Sequence, residues 1–496
     1  MRSKFTRLAA NLASFTGAAA LFCGLSAPAH AQFQSIFGGD GDDAAMGGIV
    51  PTKDEYIAVG QTNSFGGSQD VYIVKSDACG DLVWARYYDL GGDDVGRKIR
   101  YDAKRDVYIV VGSTENKYNC CTTNDAFLME IDADGNVNWA RTYGGADDDQ
   151  GADVRIHDDV YYFTGRTESF GAGKYDGWIG AVRNDGQLLW TRTYGGADDD
   201  GFNSIDIGCN ASLIVAGDTR SYTLDGNQDV FVVKTDLSGT SAGGGWSRHY
   251  GGKLDDVGRS IVNYYDKYFY VAGYTGKKGS TDAYVLQGLC DNGGFVRDRL
   301  FTVPNVSAND CFNEIQIYQQ DALILTGFVQ DDPNGFKSYD VLLTVLKVDL
   351  NPGYYRVYGE KGDEMGWSIT EVKGSSEPYN FLMAGWTNSF SNGSTDLYEI
   401  RTSLKGIAPC YTKETKLAYK DPGYKDQDAP TNNPLIRVAC NVEVGGDKVD
   451  GWKRLCSDCD KERQSDGDGQ ELSLGGGLVD PVQATATVTV RAMSAR

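Results

Sequence analysis

The chain holds 496 residues and a formal charge of −22, from 47 Lys and Arg against 69 Asp and Glu. At 41% hydrophobic and 23% charged it can bury a core, so composition argues against a disordered chain. The charge argues against nucleic acid and anionic membranes as partners, because phosphate recognition needs a basic face, and three His leave little room for His-based catalysis.

Residues 1–31 read as a secretory leader. Arg2, Lys4 and Arg7 make a basic start, an apolar run from Ala18 to Leu25 is too short to span a membrane, and Ala29-His30-Ala31 gives a small-x-small cleavage pattern. The expected location is secreted, periplasmic or cell surface, with no membrane span. Ten Cys follow the leader, and an even number in an exported chain reads first as disulfides.

Phe33-Gln-Ser-Ile-Phe-Gly-Gly39 then stands alone as a strand. Its pattern returns as Trp84-Ala-Arg-Tyr-Tyr, Trp139-Ala-Arg-Thr-Tyr-Gly-Gly, Trp190-Thr-Arg-Thr-Tyr-Gly-Gly and Trp246-Ser-Arg-His-Tyr-Gly-Gly. A strand ending in Gly-x-Thr gives a second ruler, with glycines at 60, 112, 165, 217, 273, 327 and 385. Seven copies of about 53 residues follow. The third copy shows four short alternating runs, Ala152–Ile156, Val160–Thr164, Gly177–Val182 and Leu188–Tyr194, punctuated by Gly, Asn and Asp. Four strands in each of seven copies predict an all-β, seven-bladed propeller over residues 32–406. The seventh copy lacks a fourth strand, so Phe33–Phe37 should complete it and close the ring, removing an open sheet edge.

The turns before the Trp, such as Glu130-Ile-Asp-Ala-Asp-Gly-Asn-Val-Asn-Trp139, resemble the tryptophan-docking motif of quinoprotein-type propellers. The whole repeat, Trp-x-Arg-x-Tyr-Gly-Gly-x-Asp-Asp-x-Gly, is similar to the seven-bladed SBBP-type repeats of secreted bacterial proteins. That resemblance implies an exported binding or surface protein with no shared catalytic residues. No Trp precedes Arg299 or Arg356, so blades six and seven depart from it.

Acidic residues recur in columns. Before strand A stand Asp43, Asp93, Asp148, Asp199, Asp255, Asn309 and Asp363, followed by Ala44, Asp94, Asp149, Asp200, Asp256, Asp310 and Glu364. Asp70, Asp125, Asp176, Asp229, Asp282, Asp340 and Asp396 open strand C. The columns should share one face. They read either as turn caps or as calcium ligands, with Asp148, Asp149, Asp199, Asp200, Asp255 and Asp256 the richest oxygen donors. Asp132-Ala-Asp-Gly-Asn-Val-Asn138 imitates a calcium loop but has Tyr143 where a carboxylate is needed, so it reads as a turn. His157 and His249 read as solvated or structural. The loops after strand B carry Phe65, Phe170 and Phe390 among Asn and Ser, which suits either sugar stacking or ordinary loops.

Cys120-Cys121 raises one enzyme alternative, since quinoprotein-like oxidoreductases can hold a vicinal disulfide by their cofactor. Those rings resemble eight blades, and this one counts seven. Residues 407–496 leave the repeat. Their Cys410, Cys440, Cys456 and Cys459 are disulfide candidates or, less in keeping with export, a zinc set, and Gln483–Arg491 alternates like a strand that could pair with another chain.

The function expected from sequence is a non-enzymatic binding or scaffold propeller. It would engage a glycan or a cell-surface protein through its acidic loop face, with calcium the expected ion if one is held. The alternatives are a quinoprotein-like or polysaccharide-active enzyme, marked by buried carboxylates with basic partners in the channel, and a self-assembling surface protein linked through the tail.

Overall fold

The computed structural model describes residues 32–457, apart from 53–54, 117–122, 224, 243, 278–279, 303–307, 331–337, 373–379, 392–393, 409–411, 414–417, 421–424, 429–438, 443–445 and 450–451. After residue 411 only the backbone of strands is described. The expected leader, Cys120-Cys121, Cys410, Cys459 and the 483–491 strand lie outside the described residues.

The strands form seven antiparallel sheets, four strands per blade, and no helix occurs among the described residues. Blade three runs Asp149–His157, Val160–Thr167, Asp176–Arg183 and Leu188–Tyr194, called strands A to D from the axis outward. Phe33–Phe37 completes blade seven antiparallel to Asp396–Thr402, with Phe33 opposite Arg401 and Phe37 opposite Leu397. The ring is closed as the repeat predicted.

The repeated Trp and Tyr dock each blade on the next. Trp139 Nε1 donates to the Asn184 carbonyl at 3.2 Å, and Tyr143 Oη to the Gly186 carbonyl at 2.8 Å. Gly186 has φ 80°, and a Cβ there would come within 3.0 Å of the Trp139 ring. The Asp-Gly turn is therefore the socket for the preceding blade's indole. The Trp is missing from the strands of Arg299 and Arg356, which belong to blades five and six rather than six and seven, and there another donor does its work. Arg297 Nη1 bonds the Asp349 carbonyl at 3.2 Å, and Tyr354 Oη bonds the Leu404 carbonyl at 2.5 Å.

The tail that leaves the repeat packs back on the propeller over its described part. It runs round the rim and adds a fifth strand to six blades: Thr412–Lys413 on blade six, Ala418–Lys420 on five, Lys425–Asp428 on four, Ala439–Val442 on two, Gly446–Val449 on one and Trp452–Ser457 on seven. The D-strand aromatics Tyr358, Phe301, Tyr250, Tyr143, Tyr88 and Phe37 face Thr412, Tyr419, Asp426, Ala439, Gly446 and Trp452. Each outer edge thus gains ladder hydrogen bonds and loses its capacity to pair with a foreign strand. Among the described residues Leu188–Tyr194 of blade three takes no fifth strand.

Cys209 and Cys290 form a disulfide that joins blades four and five. Cys79 is also disulfide-bonded. Cys311 is a free, buried thiol, so the expectation that every Cys pairs is corrected there. The backbones of Cys440 and Cys456 lie on blades two and seven.

Candidate functional site

The loops between blades and the loops after strand B share one face, as expected. Glu168 N donates to the Asp148 carbonyl at 2.8 Å, and Arg220 N to the Asp199 carbonyl at 2.9 Å. On that face the acidic columns do structural work. Asp149 Oδ2 accepts from Gly145 N at 2.7 Å and Ser169 Oγ at 2.8 Å, and Asp200 Oδ2 accepts from Gly196 N and Ser221 Oγ, both at 2.7 Å. Asp256 Oδ2 accepts from Gly252 N at 3.0 Å. The column before these reaches across blades: Asp148 Oδ1 accepts from Asn124 N at 2.8 Å and Asp255 Oδ1 from Gln228 N at 2.9 Å. Asp199 lies 3.9 Å from Lys174 Nζ. In blade one the register shifts by one. Asp42 accepts from Thr395 N at 3.1 Å and Asp43 from Gly39 N at 2.7 Å, so Asp42 and Asp43, not Asp43 and Ala44, belong to the columns.

The second and third columns meet as carboxyl pairs. A Cβ on Gly144 would lie 2.0 Å from Asp125 Oδ1 and 2.7 Å from Asp149 Oδ2, which is why the repeat needs Gly after its Tyr. Burial, with Asp125 beside it, raises the Asp149 carboxyl to about 6. Burial and the neighbouring Asp43 raise Asp396 to about 7. The pairs relieve their repulsion by holding protons. Blade one departs from the rest. Asp89 stands where the Gly should be, and Asp70, Asp89 and Asp94 bring oxygens within 4.8 Å of one another.

Strand A of each blade lines the channel and carries a bulge, for example between Gly96 and Lys98 and between Gly258 and Ser260. A bulge frees a buried N–H and re-aims a side chain. The freed N–H groups find acceptors on the preceding blade. Ile261 N donates to Ser204 Oγ at 3.2 Å, Ile315 N to Ser260 Oγ at 3.3 Å, Ile369 N to Glu314 Oε2 at 3.0 Å and Ile49 N to Ser368 Oγ at 3.0 Å. Lys98 occupies the same position but cannot accept. It crosses to Glu314 instead, Nζ to Oε1 at 2.9 Å. Arg100 and Arg155 each hold Asp153 Oδ1 at 3.0 Å, and Arg155 also reaches Asp206 at 3.1 Å. Burial opposes ionisation of Asp153, but Arg155, Arg100 and Lys98 outweigh it and hold the carboxyl at about 2. This network floors the channel.

Above the floor the bulge residues Arg97, Asn203, Arg259, Asn313 and Trp367 line a cavity of 340 Å³, with Gln150, Arg166, Asp218, Gln228 and Tyr274. Gln228 Nε2 donates to Asp218 Oδ2 at 2.5 Å. Burial raises the Asp218 carboxyl above its ordinary value, although the Gln228 bond, Arg259 and Arg166 pull the other way. Arg166 donates to Gln150 Oε1 at 2.9 Å and covers the Tyr175 ring at 4.7 Å. Sequence reasoning missed this well. The signal was available: the column Met46, Arg97, Ala152, Asn203, Arg259, Asn313, Trp367 changes type from blade to blade while its neighbours repeat.

The candidate stacking rings lie elsewhere. Phe65 is only 4% exposed and packs on Tyr72 and Tyr87, so it has no free face. Phe170 and Phe390 are half-buried beside Trp178 and Tyr398. His249 is structural, buried with Nδ1 2.8 Å from Asp229 Oδ2, while His157 is half-exposed. Asp132 accepts from Asp134 N at 2.9 Å and Asn136 N at 2.8 Å, the turn that was expected.

No family model matches the chain. Over 213 residues it is 26% identical to the regulatory protein FlaEY of Caulobacter vibrioides, a match covering 37% of this chain and 21% of that protein. The chain therefore spans about a fifth of that relative's length. Among solved structures it is similar to polysaccharide lyase Uly1, with a TM-score of 0.43 and 9% identity, covering 75% of this chain and 99% of that one. A GH43_12 protein retrieved from capybara gut metagenome aligns with a TM-score of 0.20 and 11% identity, covering 80% and 99%. At these identities the likeness concerns fold alone. The expectation of a protein without enzymatic activity is nevertheless corrected. The channel holds the buried carboxylates with basic partners that were set as the mark of an enzyme.

Proposed function

We propose that the chain takes a carbohydrate into the channel well and acts on it there. One observation carries this reading: the well is a floored cavity of 340 Å³ lined by amides and rings, the size of ordinary small-ligand sites. Gln150, Asn203, Gln228 and Asn313 each offer a donor and an acceptor, which is what a sugar hydroxyl needs. Trp367 and Tyr274 offer apolar faces for its C–H groups. Asp218, its carboxyl raised by burial, is the candidate proton donor to a glycosidic oxygen, since an acid must keep its proton near working pH.

The test is an oligosaccharide panel read for binding and for new reducing ends or unsaturated products. Turnover lost in Asp218→Asn with binding kept supports the reading. Binding without turnover in the parent chain removes the role of Asp218, and no binding at all removes the well as the site. A glycan substrate also fits export, which fractionation of the producing cells tests separately.

A further inference from the structure

Resting on the reading of the well as the ligand site, we infer that its ligand carries a compact anionic group, a carboxylate on a sugar, held by Arg97 with Arg166 and Arg259. The chain has a formal charge of −22, yet its channel is cationic. Arg97, Lys98, Arg100, Arg155, Arg166 and Arg259 face the carboxylates of Asp153, Asp206, Asp218 and Glu314. The floor accounts for Lys98, Arg100 and Arg155, each of which meets a carboxylate within 3.1 Å. Asp218 sits beside both Arg166 and Arg259.

Arg97 is left over. It makes no hydrogen bond or ion pair among the described residues, and the charges that act on it are Arg166 and Arg259. Burial, then those two guanidiniums, push it down to about 10. A guanidinium held among like charges in a cavity is an arrangement that a ligand anion relieves, and its planar fork fits a carboxylate with two parallel bonds. Arg259 carries its guanidinium 5.6 Å from the centre of the Tyr274 ring. The bulge is what aims Arg97 and Arg259 into the well, since both occupy that position of the repeat.

The experiment is calorimetric titration of the full chain with tetragalacturonate, with its methyl ester and with inorganic sulfate. Tetragalacturonate is expected to bind at least about tenfold tighter than its ester, and Arg97→Gln to erase that difference. Arg259→Gln serves as a second variant, and unchanged melting shows that each variant is folded. Equal binding of acid and ester, unaltered by both substitutions, overturns the anionic group and leaves the glycan well standing. Sulfate bound in an Arg97-dependent way, with neither sugar bound, keeps the anion site and overturns the glycan reading. Failure of all three probes to bind overturns the inference.

Discussion

The Lys98 ammonium of blade two meets the Glu314 carboxylate of blade six at 2.9 Å, joining two blades that are not neighbours. Both groups are nearly excluded from solvent. Ser368 Oγ donates to the same carboxylate at 2.5 Å and thereby includes blade seven.

Breaking a buried pair by removing one partner costs about 3–5 kcal/mol, because a charge stays behind without its counterion. Lys98→Met is expected to cost that much in urea unfolding. Lys98→Met combined with Glu314→Gln should recover most of it, since Gln keeps an acceptor for Ile369 N. If the double variant is no better than the single, the crossing pair is not the source of the loss.

The carboxyl pairs predict a second dependence. Asp43 and Asp149 stand at about 6, and Asp94 and Asp396 at about 7, against an ordinary value of 3.8. The folded chain then binds more protons than the unfolded chain between about pH 4 and pH 7. Stability should fall as pH rises through that window and level off above it. Asp396→Asn should flatten part of the slope. Melting temperature against pH checks this, and a rise across the window would contradict it. Millimolar calcium at pH 8 is expected to restore part of the loss by replacing protons on the pairs. A melt unmoved by calcium or EGTA removes the ion from this face.

Removing residues 409–496 should expose outer strands that the belt now covers. The expected results are a lower melting temperature and association that grows with concentration, read by mass photometry. A truncated chain that stays monomeric with unchanged melting would show that the rim strands add nothing.

The Cys209–Cys290 bond closes a loop with a sequence separation of 81. By chain entropy such a closure contributes about 4.5 kcal/mol. Cys209→Ser with Cys290→Ser should lose a loss of that order, and the parent chain should lose it in reductant. Equal stability of reduced and oxidised protein would contradict the estimate.

Much of the ring was legible because a blade needs the same turn, socket and cap each time. The Trp phrase, the Gly-x-Thr ruler and the orphan Phe33–Phe37 strand all report that need. Blade one misled the alignment of the acidic columns because Asp40, Asp42 and Asp43 crowd one turn, and sequence alone does not say which carboxyl bonds Gly39 N. The belt was illegible for a different reason. Its described strands span only 2–6 residues each, with no shared apolar pattern. The well was hidden because Arg97 and Arg259 differ from their counterparts, and a search for repetition passes over what does not repeat.

The belt also decides how the molecule would answer a mechanical load. Phe33 lies opposite Ser457, so the first described strand and the last run as antiparallel neighbours with their outer ends side by side. Tension applied to those two ends pulls across the ladder and separates its hydrogen bonds one after another rather than all together. The end of the belt would peel from blade seven like a zip, at low force, while the ladder of Phe33–Phe37 on Asp396–Thr402 keeps the ring closed.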